Sequence, residues 1–160
     1  LSLYKDADID VSTNPTFAHI KSGTHQRSKY FFSDPSVIIA PPEKEMSLPS
    51  EEVTFTLNED QLSKIMKSAS ILGLPDLSVV AAEGVVRLVV SDRKNDTSNE
   101  FAIVVGQNDN EFSFNFKVEN IKLVSGGYQV AISSKNLARF YNPDYKLTYF
   151  IALEPDSTYG

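Results

Sequence analysis

Residues 52–73 change from a strand-like to a helix-like pattern of apolar positions. Val53, Phe55 and Leu57 alternate with polar residues, which predicts a half-buried strand. Asn58 can cap a following helix, and Gln61 stands three residues later, which is the spacing of a capping box. The helix's apolar positions recur at i, i+3, i+4 and i+7, and they are Leu62, Ile65, Met66, Ala69 and Leu72. This spacing predicts an amphipathic helix that Gly73 and Pro75 end.

Three runs rich in β-branched residues follow this helix. They cover residues 77–83, 85–93 and 100–107, and turn or loop residues separate them. Apolar runs bounded by such residues are typical of strands. Residues 52–107 therefore predict a β-α-β-β-β unit.

The same order of elements begins again at residue 111. The stretch EFSFNF (111–116) matches EVTFTL (52–57) in residue type, and residues 118–124 predict a helix of at most two turns. Gly126 and Gly127 break that helix, and three further strands are predicted within 128–134, 136–142 and 145–154. Two matching successions of elements indicate an internal duplication.

Residues 1–33 have the pattern of the end of a further copy. LSLYKD resembles the end of a helix, and ADIDVST, FAHIKSG and HQRSKYFFS predict three strands. The strand and most of the helix that should precede them are absent, so we expect a chain truncated at its N-terminus. The prolines of residues 34–51 discourage regular structure and predict an extended connector. The predicted organisation is 1–33 as the C-terminal part of a first domain, 34–51 as the connector and 52–160 as a second domain.

Composition and motifs limit the chemistry. The chain has 160 residues, 41% of them hydrophobic, no cysteine and a formal charge of −6. No stretch is long and apolar enough for a membrane span, and the N-terminus has no signal-peptide pattern. The spacing of His19 and His25 matches no metal signature, and no phosphate-binding glycine motif is present. We predict no catalytic residue, no metal and no cofactor, and thus a protein that is not an enzyme.

The duplicated unit and the proline-rich connector resemble the DNA sliding clamps. FSFNFKVENIKLVSGGYQVAIS (112–133) and YFIALEPDST (149–158) are similar to the sliding clamp of T-even-type bacteriophages, the processivity factor of the phage DNA polymerase. The resemblance extends over 52–160 and is fainter over 1–51, where it rests on strand order and on DPSVIIAPP as the connector.

The resemblance implies an α+β protein with the DNA-clamp fold. Its duplicated β-α-β-β-β units would have sheets outside and helices on one face, with one complete clamp domain and part of another. The intact protein would be a homotrimeric ring around duplex DNA, bound without sequence preference. The implied partners are a C-terminal peptide of the DNA polymerase and an ATP-dependent clamp loader, and the implied location is the cytoplasm of an infected bacterial host.

The pattern and the resemblance together give three sets of candidate site residues. The outward lysines of the two helical segments would face the DNA: Lys64, Lys67, Lys117 and Lys122. Two strands would form the subunit interface through Lys29, Tyr30, Phe31, Phe32, Phe101, Ile103 and Val105. A pocket for a partner peptide would involve Ile38, Ile39, Leu153 and Pro155.

An alternative from another class is a β-rich ligand- or protein-binding module with no DNA role. An enclosed apolar pocket with a few convergent polar groups would favour that reading. Helical segments that carry Lys64 and Lys122 side by side on one face would favour the clamp.

Overall fold

The chain divides into two compact units, Leu1–Glu45 and Met46–Gly160. The computed structural model describes residues 6–39 and 45–160. The boundary between the units falls inside the predicted connector, and the three-part division at residues 33 and 51 stays a prediction. The predicted helix end at LSLYKD lies outside the described residues except for Asp6.

The first unit contains an antiparallel three-stranded sheet. Its strands are β1 (Asp8–Asp10), β2 (Phe17–Ser22) and β3 (Gln26–Phe31), in the spatial order β1-β2-β3. They lie within the three segments that the sequence predicts as strands. A 3-10 turn at Pro35–Val37 follows, and the carboxylate of Asp34 caps it by accepting a hydrogen bond from the Ser36 N–H (2.8 Å).

The second unit contains one α-helix and two antiparallel sheets. Its elements are β4 (Val53–Leu57), α1 (Glu59–Leu72), β5 (Asp76–Ala82), β6 (Val85–Ser91), β7 (Glu100–Gln107), β8 (Phe112–Lys117), β9 (Tyr128–Ser133), β10 (Leu137–Asn142), β11 (Leu147–Ala152) and β12 (Thr158–Tyr159). One sheet has the order β11-β10-β9-β4, and the other has the order β12-β8-β5-β6-β7.

Alternating inward side chains build one core in this unit. Its largest fully buried side chains include Tyr128, Phe114, Phe116 and Ile132, which come from strands of both sheets. The helix α1 adds Leu62, Ile65 and Ala69 to the same cluster, as its spacing predicts. Most core positions are those that the two periodicities mark as apolar, but Leu72 in the last turn of α1 is 41% exposed although the spacing predicts it on the buried face.

The ends of α1 confirm the sequence prediction. The Asn58 side chain accepts a hydrogen bond from the Gln61 N–H (2.8 Å), and the Gln61 side chain accepts one from the Asn58 N–H (3.0 Å). Gly73 adopts a left-handed conformation (φ 66°), which ends the helix without strain. Both ends are set by local hydrogen bonds and local backbone geometry.

The second predicted helical segment, expected to have at most two turns, is a single 3-10 turn. Residues 118–124 contain only a 3-10 turn, Val118–Asn120, before an irregular segment leads to β9. The Val118 N–H donates to the carbonyl of Pro75 (2.9 Å), Ile121 enters the core, and the Tyr128 hydroxyl donates to the Val124 carbonyl (2.7 Å). These contacts hold the segment in an irregular course after its single 3-10 turn.

Candidate functional site

A groove with a volume of about 790 Å³ runs between α1 and the segment Leu123–Gly126. Leu62, Met66 and Leu123 supply its apolar lining, and charged and polar side chains of α1 stand beside them. The helix α1 and the segment between β8 and β9 (118–127), here called the second crossover, therefore border the same groove.

Three of the four candidate DNA-facing lysines lie at this groove or next to it. Lys67 lines the groove, and Lys122 is exposed directly before Leu123 of the groove wall. The ammonium of Lys64, one turn before Lys67, lies 2.7 Å from the carboxylate of Asp60, and both side chains are more than half exposed. This surface, here called the lysine face, consists of Lys64, Lys67 and Lys122.

Lys117 lies apart from the lysine face. Its ammonium pairs with the carboxylate of Asp76, which is only 1% exposed, whereas the Lys117 side chain is 30% exposed. The second carboxylate oxygen of Asp76 accepts the backbone N–H of Arg93 (3.0 Å). The hydrogen bond that the Lys117 ammonium donates to the Asp76 carboxylate raises the pKa of Lys117. The Lys117 ammonium is thus already paired with a buried carboxylate and is not part of the lysine face.

A second, smaller cleft contains Lys117. Its volume is about 270 Å³, and its lining residues are Asp76, Arg93, Lys94, Lys117, Glu154, Pro155 and Asp156. The guanidinium of Arg93 forms an ion pair with the Asp156 carboxylate, and the bond between Nη1 and Oδ1 is 3.2 Å long. This ion pair holds the pKa of Asp156 below its usual value. We call this site the tail cleft because three of its residues belong to the C-terminal tail, 153–160.

Both strands predicted to join subunits are edge strands of their sheets. On β3, Tyr30 and Phe31 are more than 60% exposed, and Phe32 directly after the strand is also exposed. The Lys29 ammonium lies over the aromatic rings of Phe17 (3.9 Å to the centroid) and Phe31 (4.6 Å). An exposed edge of this kind can pair with another strand.

On the edge strand β7, the candidate side chains point away from solvent. Phe101, Ile103 and Val105 pack partly buried against the core, whereas Val104 between them is 57% exposed. A partner strand that pairs with this edge would therefore contact the β7 backbone and the outward side chains such as Val104, rather than the three candidate side chains.

The candidate residues for a partner pocket differ in accessibility. In the first unit, Ile38 is 61% and Ile39 is 94% exposed. In the second unit, Leu153 is buried in the core, and Pro155 is exposed at the tail cleft. Of the two residues in the second unit, only Pro155 can contact a partner directly.

Sequence reasoning missed the polar cluster behind the tail cleft. Asn115 in β8 is 1% exposed and bonds with its side chain to Ser78, Ser113 and Asp156. Asparagine is depleted in strands, so Asn115 in the middle of an alternating strand was the available signal. Ser78 and Asp156 come from distant parts of the chain, and no spacing pattern marks them.

The described part of the chain has neither a cluster of metal-binding side chains nor a membrane-spanning helix. Among residues 6–39 and 45–160, no group of three or more histidine or acidic side chains could hold a metal ion. Within the same residues, no helix is long and apolar enough to cross a membrane.

Comparisons with known proteins all point to sliding clamps. A family model described as "gp45 sliding clamp, C terminal" matches residues 54–155. The chain is 29% identical over 161 aligned residues to a sliding clamp of Vibrio phage KVP40, and the match covers 96% of this chain and 71% of that protein.

Solved structures of clamps show the same fold at low sequence identity. PCNA of A. fulgidus, bound to the C-terminal region of FEN-1, matches with a TM-score of 0.55 and 16% identity over 95% of this chain and 65% of that one. A DNA polymerase III β sliding clamp from Bartonella birtlesii gives a TM-score of 0.56 and 14% identity over 92% and 41% of the two chains. The PCNA2–PCNA3 complex of Sulfolobus tokodaii gives 0.54 and 11% over 92% and 64%.

The chain therefore spans less than two thirds of each of these solved chains. The comparisons do not favour the alternative of a ligand- or protein-binding module without a DNA role.

Proposed function

Because the chain belongs to the gp45 sliding clamp family, we propose that it is part of a ring that encircles duplex DNA and tethers the replicative DNA polymerase. Sliding clamps are processivity factors rather than enzymes, and the proposal gives this chain no catalytic step. The ring would have its sheets outside and its helical segments toward the hole. It would act in the cytoplasm of an infected bacterial host.

The lysine face is the observation that carries this proposal. Lys67 on α1 lines the groove, Lys64 lies one helical turn before it, and Lys122 directly precedes Leu123 of the opposite groove wall, so the two halves of the duplicated unit both contribute cations there. Cations at such positions can contact phosphates without reading bases. A common cationic surface on the helical side is what a ring lined by helices needs.

The negative charge of the chain is compatible with this role. A formal charge of −6 repels DNA as a whole, but salt screens charges beyond about 8 Å under physiological conditions. The acidic residues of α1 also weaken the lysine face, since Asp60 already pairs with Lys64. An encircling protein needs only weak contacts, and weak contacts allow it to slide.

The edge strands and the tail supply the proposed partner surfaces. In a homotrimer, β3 of one subunit would pair with β7 of the next. The C-terminal peptide of the polymerase would dock on the second unit at Pro155, which is exposed; Ile38 and Ile39, exposed on the first unit, are separate candidates for a partner contact. An ATP-dependent clamp loader would open and close the ring.

Retention on circular DNA tests the proposal. The intact protein that contains this chain is loaded on nicked circular DNA with the clamp loader and ATP, and bound protein is separated by gel filtration before and after the DNA is cut. We expect retention on the circle and loss after linearisation, together with a trimeric mass in light scattering. Equal retention on circular and linear DNA, or none on either, would overturn the proposal.

A further inference from the structure

The C-terminal tail is fixed along the outer edge of β8 at both of its ends. The Glu154 N–H donates to the carbonyl of Asn115 (2.7 Å), and the Gly160 N–H donates to the carbonyl of Glu111 (3.1 Å). Between them, β12 pairs antiparallel with the start of β8. Most of the tail nevertheless has exposed side chains, so hydrogen bonds rather than burial hold its course.

Asn115 makes the central contacts to this tail. Its backbone N–H donates to the hydroxyl of Ser157 (2.9 Å), and its side-chain amide donates to the carbonyl of Asp156 (3.3 Å). Its side-chain oxygen accepts the hydroxyl of Ser78 (2.8 Å), which orients the amide toward the tail. A buried amide with this set of partners has one orientation, because reversing it would leave polar atoms without partners.

Arg93 holds the same part of the tail from the other side of the tail cleft. Its guanidinium donates to both carboxylate oxygens of Asp156, which is the bidentate geometry of arginine–carboxylate pairs. Its backbone N–H is fixed by the buried carboxylate of Asp76 (3.0 Å), and Asp76 is itself paired with Lys117. Arg93 therefore links the tail to a buried ion pair in the sheet.

Pro155 lies between the two fixed residues of the tail. Glu154 is bonded to Asn115, and Asp156 is bonded to both Asn115 and Arg93. Proline adds its own restriction of φ. Pro155 is therefore exposed at the tail cleft and yet held in one position. A surface residue held in this way loses little freedom when a partner binds.

We infer that Arg93 and Asn115 are positioning residues for a partner peptide that contacts Pro155. The inference rests on the proposed function, which places the polymerase peptide at this tail. Neither side chain needs to touch the peptide. Each acts by fixing a neighbour of Pro155, so that the contact surface exists before the peptide arrives.

Peptide binding to variants of the full chain tests the inference. The probe is a fluorescein-labelled synthetic peptide with the C-terminal sequence of the DNA polymerase from the same genome, and anisotropy measures its affinity. We expect Arg93→Gln and Asp156→Asn each to weaken binding about two- to fivefold, the range for one partly exposed ion pair. The double variant should be no weaker than either single variant, because both remove the same link.

Lys94→Gln is the matched control. Lys94 lines the same cleft, and Lys94→Gln removes the same charge as Arg93→Gln. The ion pair to Asp156, however, comes from Arg93. We expect binding by Lys94→Gln to stay within about twofold of the unmodified chain. A loss equal to that of Arg93→Gln would show an effect of cleft charge and would overturn the inference.

Two further measurements separate the inference from the proposed function. If Pro155→Ala leaves peptide binding unchanged, the proposed docking site itself fails. If Pro155→Ala weakens binding and Arg93→Gln does not, only the positioning role fails. Hydrogen exchange gives a readout without peptide: Asn115→Ala removes the side-chain amide that holds the Asp156 carbonyl, so exchange should speed up at the adjacent Ser157 amide while the β5 amides stay protected. Unchanged exchange in the tail would contradict the inference.

Discussion

Replacing Lys117 with methionine separates its structural contact from the role in DNA binding that the sequence suggests. Methionine keeps most of the apolar stem and removes the ammonium that pairs with Asp76. The Asp76 carboxylate is 1% exposed and would keep only the hydrogen bond from the Arg93 N–H (3.0 Å). A buried carboxylate that loses its cation is strongly destabilising.

The structure limits the size of this loss. Breaking a fully buried ion pair costs about 3–5 kcal/mol. The Lys117 side chain is 30% exposed, so water can reach the place of the missing ammonium. We therefore expect Lys117→Met to lower the free energy of unfolding by about 2–3 kcal/mol. Lys122→Met, at an exposed position of the lysine face, should change it by less than about 0.5 kcal/mol.

Urea unfolding followed by circular dichroism measures both variants. A third variant, Asp76→Asn combined with Lys117→Met, removes the carboxylate as well and should regain at least about 1 kcal/mol, because no charge is then left without a partner. Equal stabilities of Lys117→Met and Lys122→Met would refute the reasoning. So would a double variant less stable than Lys117→Met.

Three other predictions follow from single contacts. Burial alone would raise the pKa of Glu52, but hydrogen bonds from Ser50 and Ser134 outweigh it and lower the pKa to about 2. This contribution to stability is full above pH 4.5 and is lost as the pH falls toward 2. Glu52→Gln should therefore reduce the fall in the free energy of unfolding between pH 4.5 and 2. An unchanged fall would contradict this. Asp60→Asn should free Lys64 from its ion pair and tighten the binding of a short DNA duplex about twofold in low salt, measured by anisotropy. An equal gain in Glu59→Gln would argue against a specific role of the Asp60–Lys64 pair. Gly126→Ala should destabilise the protein by about 1–3 kcal/mol in thermal unfolding. Gly126 has φ 146°, and an added Cβ would lie 2.5 Å from the side-chain amide nitrogen of buried Asn142. An unchanged melting temperature would show that the loop adapts.

The sequence predicts α1 well because local interactions determine it. Asn58 and Gln61 bond to each other's backbone across one turn, and Gly73 ends the helix through its own conformation. The apolar spacing between them selects the buried face. None of these features depends on a distant residue, so a reading of neighbouring positions is sufficient.

The second crossover and the tail cleft could not be predicted in this way. Residues 118–124 have an amphipathic pattern, but the Val118 N–H bonds to the carbonyl of Pro75 directly before β5, Ile121 enters the core, and only one 3-10 turn forms. The tail cleft joins Asp76, Arg93 and Asp156 with β8, and these parts meet only after the five-stranded sheet forms. Periodicity shows which residues are buried, and it does not show which polar residues meet.

The charges of α1 bear on how a clamp of this kind would hold DNA. The helix carries two acidic residues, Glu59 and Asp60, and two lysines, Lys64 and Lys67, so its formal charge is zero. The acids stabilise the first turn through the helix dipole, which gives them a structural reason to be there. A neutral helix supplies little affinity for phosphates. In the proposed ring, retention on DNA must then come from closure, so the edges of β3 and β7 matter more for function than any single lysine.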